Sequence, residues 1–403
     1  MALPPANNSA GRPAAWREAL DARTALMGAV LLVLWGAFHA LTGGLFLTPE
    51  NLYNLFQQTA VVGIMATVFV LVIVARHIDL SVGSAVGFVG VLIAFLIYTR
   101  QWSWPMAVAA GLGLALAIAV YQGALSAWLG VPSFVVTLGG LMSFRGAAFL
   151  VADGKTQPIA DPVFLALGGG YGGAVGPLVS WLLGAGVCVA LVAALAWQRR
   201  YRARFGAPPQ PLVADVLRVG LPCLLVLGFV ATMNGYQIPG KDTAQGVPIP
   251  VLIWAAVAAA LAFIVKRTRF GRYVFALGGN PEAAELVGIP VRRVTLQLYA
   301  LLGALVCVAA VVSIARLNAG TNSLGTGLEL YVIAAAVIGG TALAGGSGTI
   351  LGSVLGALIM QSLDSGLLLL DVSIGMRMVL IGQVLIAAVV FDALYRRATG
   401  ERT

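Results

Sequence analysis

Twelve apolar runs, each close to the roughly 20 residues that a bilayer core demands of a helix, leave this chain few folds to adopt. They lie near 24–42, 57–75, 80–98, 105–129, 131–150, 177–197, 216–234, 249–265, 295–315, 329–344, 349–370 and 374–394. Apolar residues make up 60% of the chain and charged residues 10%, against about a quarter charged in a soluble domain. The expected fold is all-α: a polytopic transmembrane helix bundle of about twelve spans over residues 24–395. Residues 1–23 and 396–403 are read as cytoplasmic tails. The first 23 residues are polar and show no clear cleavage site, which predicts an uncleaved first helix.

The charges support that topology. Eighteen of the 24 Lys and Arg residues, among them Arg76, Arg199, Arg200, Lys266, Arg272 and Arg292, fall in segments that are inside if the N-terminus is inside. Only Arg100, Lys155, Lys241 and Arg316 fall outside, with Arg145 and Arg377 near helix ends. Such a bias is the positive-inside rule, so the net charge of +9 records topology and argues against a nucleic-acid partner.

One polar, basic segment, residues 266–293, carries a short helix marked at both ends. Asn280 is a good N-cap, and Pro281 suits the first helical position, where its missing N–H costs nothing. Glu282 and Glu285 lie near the positive end of the helix dipole. Gly288 can take the left-handed stop, and Pro290 prevents resumption. Such a helix, 281–287, is only about 10 Å long and marginal alone in water. Ala283, Ala284, Leu286 and Val287 therefore need a partner. Two readings follow, a cytoplasmic lug docking into another protein or a loop helix on the membrane surface.

Fifty glycines are too many for a simple anchor. Gly348, Gly352 and Gly356 form a smooth stripe that lets backbones approach closely, and Gly83 and Gly87 repeat the spacing. Gly339, Gly340, Gly345 and Gly346 suggest a loosened helix end or a re-entrant turn. Polar residues inside the runs are sparse. Asp79 or Ser81 is placed to cap the third helix. Asp364, with Gln361, Ser362 and Ser365, interrupts the eleventh run, and an acid at membrane depth is a functional candidate. Asn318, Thr321, Asn322, Ser323 and Glu329 form polar outer segments open to a solute, a docking protein or water. Gln361, Asp364 and Asn322 are the candidates for a translocation path.

The remaining chemistry is thin. Two histidines, His39 and His77, exclude a His-rich metal site. Gly154-Lys155-Thr156 ends like a phosphate-binding loop, but Phe149 stands where its first glycine belongs, and a GxGxxG begun by Gly111 and Gly113 fails at Leu116. No ATP hydrolysis is expected in this chain. Cys188, Cys223 and Cys307 all fall in apolar runs and are read as packing residues.

Three blocks together resemble the permease subunits of bacterial ABC importers for monosaccharides, the ribose, galactose and xylose type. Residues 78–84, IDLSVGS, are similar to that family's GGIDLSVGS signature, with Arg76 and His77 replacing its usual glycines. Residues 270–291 resemble its FGR…A-x-GGN-x-EAA-x-x-x-GI block, and residues 333–359 its Gly-rich late segment. Length and the 198–248 region point within the family to xylose, with 216–265 holding an added helix pair. The resemblance implies a non-catalytic subunit whose EAA element, Glu282, Ala283 and Ala284 with Gly288, docks onto an ATPase subunit. That ATPase would bind ATP and magnesium. The implied assembly also has a second permease copy and a periplasmic sugar-binding protein. The I-x-L-P ending of other importer classes is absent, so the docking geometry does not transfer in detail. A permease for nucleosides or another sugar, or an ion-coupled transporter, remains open from the sequence.

Overall fold

Proline or a short polar residue begins most of the helices in the computed structural model, which describes residues 14–170, 172–205, 212–237, 240 and 243–399. Arg12, Lys241 and Arg402 lie outside the described residues, as do residues 1–13 of one tail and 400–403 of the other. Thr48 caps α2 (Pro49–Val74), accepting from the Asn51 N–H, and Pro49 opens the helix. Helix α1 (Ala14–Leu41) precedes it, and α3 (Val82–Tyr98), α4 (Trp104–Trp128) and α5 (Ser133–Ala152) follow. Asp161 caps the short α6 (Pro162–Ala166) through the Val163 and Phe164 N–H groups. Next come α7 (Pro177–Arg204), α8 (Leu212–Asn234) and α9 (Ile249–Arg267). Thr268 caps α10 (Arg269–Gly279), and Asn280 caps α11 (Pro281–Leu286). The chain closes with α12 (Val291–Leu317), α13 (Leu328–Ile338), α14 (Ile350–Leu369) and α15 (Ile374–Thr399). One two-stranded ribbon, β1 (Gln157–Pro158) antiparallel to β2 (Ala319–Gly320), sets Gln157 opposite Gly320.

Each of the twelve apolar runs contains a helix over most of its length, and eight described helices are long and apolar enough to cross a membrane. The protein is therefore a polytopic helical membrane protein. Helix α2 is the axis of the bundle, with α9, α12, α13 and α14 packed around it. Around this inner set the outer helices leave large apolar side chains uncovered, such as Val33, Leu150, Leu182 and Leu224. A water-soluble surface does not expose apolar area on that scale; a hydrocarbon solvent accepts it.

The 329–344 run is helical over only part of its length, and the helix ends at the glycines that suggested a loosened end. Its helix, α13, stops at Ile338 after 11 residues, about 16 Å of rise, which is half a bilayer core. Before it, residues 318–327 run beside α3: Leu324 lies on Gly87 and Gly90, and Gly325 on Gly83. After it, Gly340, Gly345 and Gly346 take positive φ and turn the chain into α14. Irregular backbone at this depth is tolerated only when buried in protein, and the close approach of residues 324–325 to the α3 glycines provides that cover. Of the two helices expected as an added pair at 216–265, α8 packs along α7 and α9 packs along α2.

The glycine stripe of α14 meets α13. A Cβ on Gly352 would fall on the Gly339 carbonyl, and one on Gly356 would fall on the Ala335 carbonyl. Gly348 presses on Val70 and Val74 of α2 and on Thr341.

Candidate functional site

Two places gather the chemistry, one in the bundle and one on its surface. The first is a cavity of about 290 Å³ between α2, α12, the 321–326 chain, α13 and α14. Ligand pockets run from about 300 to 1,000 Å³, so it suits a small solute. Gln361 and Asp364 stand three residues apart on α14, hence on one face, and both line it. Gln361 donates to Gln58 Oε1 at 3.0 Å. Asp364 Oδ1 accepts from the Tyr331 hydroxyl and from Arg377, each at 3.3 Å. Both side chains of the Asp364–Arg377 ion pair are mostly buried.

Hydroxyls of Ser313, Thr321, Ser323 and Thr326, the Gln58 amide and the Arg316 side chain complete the polar lining. A hydroxyl or a carboxamide both donates and accepts, so the wall offers both kinds of partner to a neutral, hydroxylated molecule. Ser362 and Ser365 face elsewhere: Ser362 accepts from the Trp35 indole at 2.8 Å, and Ser365 donates to Asn51 Oδ1 at 3.2 Å. Those bonds tie α14 to α1 and α2.

Asn322 is not among the residues that line this cavity. Its carbonyl accepts from Arg145 at 3.0 Å, and the Leu324 carbonyl accepts from the same nitrogen at 2.7 Å. The guanidinium of α5 thus holds the 322–324 backbone in place. Gln58, Tyr331 and Arg316 were missed from sequence. Gln58 was visible in principle as an amide inside the opening turns of an apolar run, whereas Tyr331 and Arg316 carry no signal until α13 and α12 are placed together.

Asp79 serves the loop leading into α3. Its Oδ1 accepts from the Ser81 N–H and hydroxyl at 2.7 Å each, and Gln122 donates to that hydroxyl at 2.8 Å. Ser133 and Thr137 of α5 accept from the Ile78 and Leu80 N–H groups. The backbone around the buried Asp79 is thereby satisfied by hydrogen bonds.

The second place is α11. Asn280 Oδ1 accepts from the Ala283 N–H at 3.0 Å. Gly288 has φ +83°, with its N–H on the Glu285 carbonyl. Six helical residues end at Leu286, one short of the sequence reading, with Val287 as the cap. Ala284 is buried and Glu282 and Ala283 are exposed, while Leu286 is 87% and Val287 77% exposed. Leu286 and Val287 thus form an uncovered apolar pair where this short helix ends.

Lys155, the relic of the phosphate-loop pattern, lies 2.8 Å from Asp153 on an exposed turn. Its hydrogen bond and its charge hold the Asp153 carboxyl below the ordinary carboxylate range. Among the described residues, all three cysteines are free, with Cys188 Sγ 3.9 Å from the Cys223 carbonyl.

The family model described as branched-chain amino acid transport system / permease component matches residues 51–208 and 214–389. The xylose transport system permease protein XylH of Escherichia coli strain K12 is 36% identical over 383 residues, 94% of each chain. Its counterpart in Haemophilus influenzae is 35% identical over 93% of this chain and 97% of its own. The ribose import permease protein RbsC of Escherichia coli strain K12 is 32% identical over 90% of this chain and 91% of its own. No solved structure matches the chain.

Proposed function

The chain belongs to the branched-chain amino acid transport system / permease component family, and on that premise we propose that it is the membrane-spanning permease subunit of an ATP-driven ABC importer of monosaccharides, with xylose as its sugar. The observation that carries the reading is the extent of the likeness: identity to the xylose permease of Escherichia coli strain K12 runs over 94% of both chains. Identity to the ribose permease of the same strain is lower, at 32%.

The protein lies in the bacterial cytoplasmic membrane with both termini in the cytoplasm. Support comes from the bias of Lys and Arg residues and from twelve apolar helices, in which α13 and the 318–327 chain together make one crossing. The basic segment at 266–293, with α10 and α11, then faces the cytoplasm. Asn280, Glu282, Ala283, Ala284 and Gly288 shape α11 as the lug received by a separate ATPase subunit, and the exposed Leu286 and Val287 are its contact. ATP and magnesium are bound by that ATPase, and this chain performs no covalent chemistry. A second copy of the permease completes the pore, and a periplasmic binding protein delivers the sugar.

Gln361 and Asp364, joined by Gln58 and Tyr331, lie on the translocation path. Their mixed donors and acceptors match a sugar hydroxyl on each side without binding it tightly, as a passage requires. The test is uptake of radiolabelled xylose into vesicles holding permease, ATPase and binding protein, with ribose and galactose as competitors. Xylose is expected to accumulate and to outcompete both; preferential accumulation of ribose would reassign the sugar.

A further inference from the structure

Three chain reversals meet at one end of α2, and a single side chain pins them. Arg76 follows the helix with φ +64°, a conformation that residues bearing a Cβ avoid. Its own N–H closes on the Ile73 carbonyl at 2.9 Å, and the His77 N–H on the Val72 carbonyl at 3.0 Å. The bend aims the guanidinium at α10. Arg76 Nε donates to the Gly278 carbonyl at 2.7 Å, and a terminal nitrogen donates to the Gly279 carbonyl at 2.9 Å. These are the last carbonyls of α10, which lack partners within the helix and sit at its negative end.

The contacts around Arg76 join three elements. Gly278 lies directly on the Val74 carbonyl, which also accepts from the Gly346 N–H at 2.9 Å. A Cβ on Gly345 would run into the Arg76 side chain. The next residue after the clamped carbonyls is Asn280, the cap of α11, and two residues beyond Gly346 the α14 stripe begins at Gly348. A displacement of α11 therefore reaches the ends of α2 and α14 through Arg76.

We propose that Arg76 is a positioning residue that seats the α11 lug against the ends of α2 and α14, so that movement of the lug is carried into the helices lining the cavity. The inference rests on the reading of α11 as the ATPase-facing lug. A merely stabilising clip would give the same contacts, so the test must separate coupling from folding.

Arg76→Gly removes both bonds while easing the left-handed backbone, since glycine adopts positive φ freely, and Arg76→Lys keeps the charge with reach to one carbonyl. Each is purified with the ATPase and binding protein, and xylose taken up per ATP hydrolysed is measured in vesicles. Arg76→Gly is expected to retain the ATPase and hydrolyse ATP, with the ratio lowered about fivefold, the lower end of measured coupling between sites. Arg76→Lys should recover part of the ratio. An unchanged ratio overturns the proposal, and so does a parallel loss of hydrolysis and uptake, which marks a structural clip. Leu286→Asp judges the lug separately: loss of the ATPase on purification upholds the lug, and retention overturns both readings.

Discussion

Helices α14 and α7 both read as apolar spans that carry glycine, yet they occupy opposite environments. Of the most apolar window of α14, 67% is buried, against 11% for α7. Gly352 and Gly356 of α14 stand four apart, on one face, and touch the backbone at the end of α13. Gly184 and Gly186 of α7 stand two apart and point to different faces; Gly184 meets only Val230 and its neighbours on α8, and Gly186 meets nothing. In lipid there is no hydrophobic force between apolar helices, so hydropathy does not decide which are buried. Shape and polar partners do. Helix α14 carries Gln361, Ser362, Asp364 and Ser365, each bonded to another helix, whereas the one buried polar side chain of α7, Ser180, sits at its first turn and accepts from the Val247 N–H.

The strongest way to break this comparison is the same substitution in both helices. Gly352→Leu is expected to cost at least about 1–3 kcal/mol, the usual range for overpacking, because a backbone carbonyl blocks the new side chain. Vesicle uptake should be lost and the melting temperature of the detergent-solubilised protein should fall. Gly186→Leu should stay within about 0.5 kcal/mol, as an unencumbered surface change does, with uptake unchanged. Equal effects at the two sites would show that burial in the bundle does not separate these helices.

Next come the lesions in the lug, which sharpen the comparison by asking which helices feel it. Glu282→Lys reverses a charge in the first turn of α11, and Gly288→Pro removes a φ of +83° that proline cannot adopt. Both lie outside the spans, so insertion should be normal. Uptake should fall about tenfold, within the range of coupling free energies, and retention of the ATPase on purification should fall with it. Normal retention and uptake in both variants would contradict the lug.

A smaller effect is expected at Asp364→Ala, which leaves Tyr331 and Arg377 without their shared acceptor. A mostly buried polar group stripped of its partner costs about 1–3 kcal/mol, read as a lower melting temperature, with reduced uptake of xylose. Smallest of all, Lys155→Ala should change neither uptake nor stability, since its pair with Asp153 lies on an exposed turn.

Legibility from sequence followed the range of the interactions. The boundaries of α11 were readable because Asn280, Pro281 and Gly288 act on their own backbone. The α14 stripe was readable because its spacing is helical. The break in the 329–344 run was readable because Gly339 and Gly340 act locally, whereas its apolar content alone did not reveal that α13 has only 11 residues. Asn322 was legible only in part. Its polarity marked a special segment, but the segment's role, backbone held by Arg145, depends on a residue 177 positions away. The cavity itself depends on five separated stretches meeting, which no local pattern encodes.

The central claim is that ATP hydrolysis outside this chain drives a sugar through it. The most direct measurement is xylose accumulation in vesicles containing the permease, with ATP, the ATPase and the binding protein each omitted in turn, and with an imposed proton or sodium gradient as the alternative drive. The account predicts accumulation only when all three are present, indifferent to the gradient. Accumulation driven by the gradient without ATP or the ATPase would contradict it.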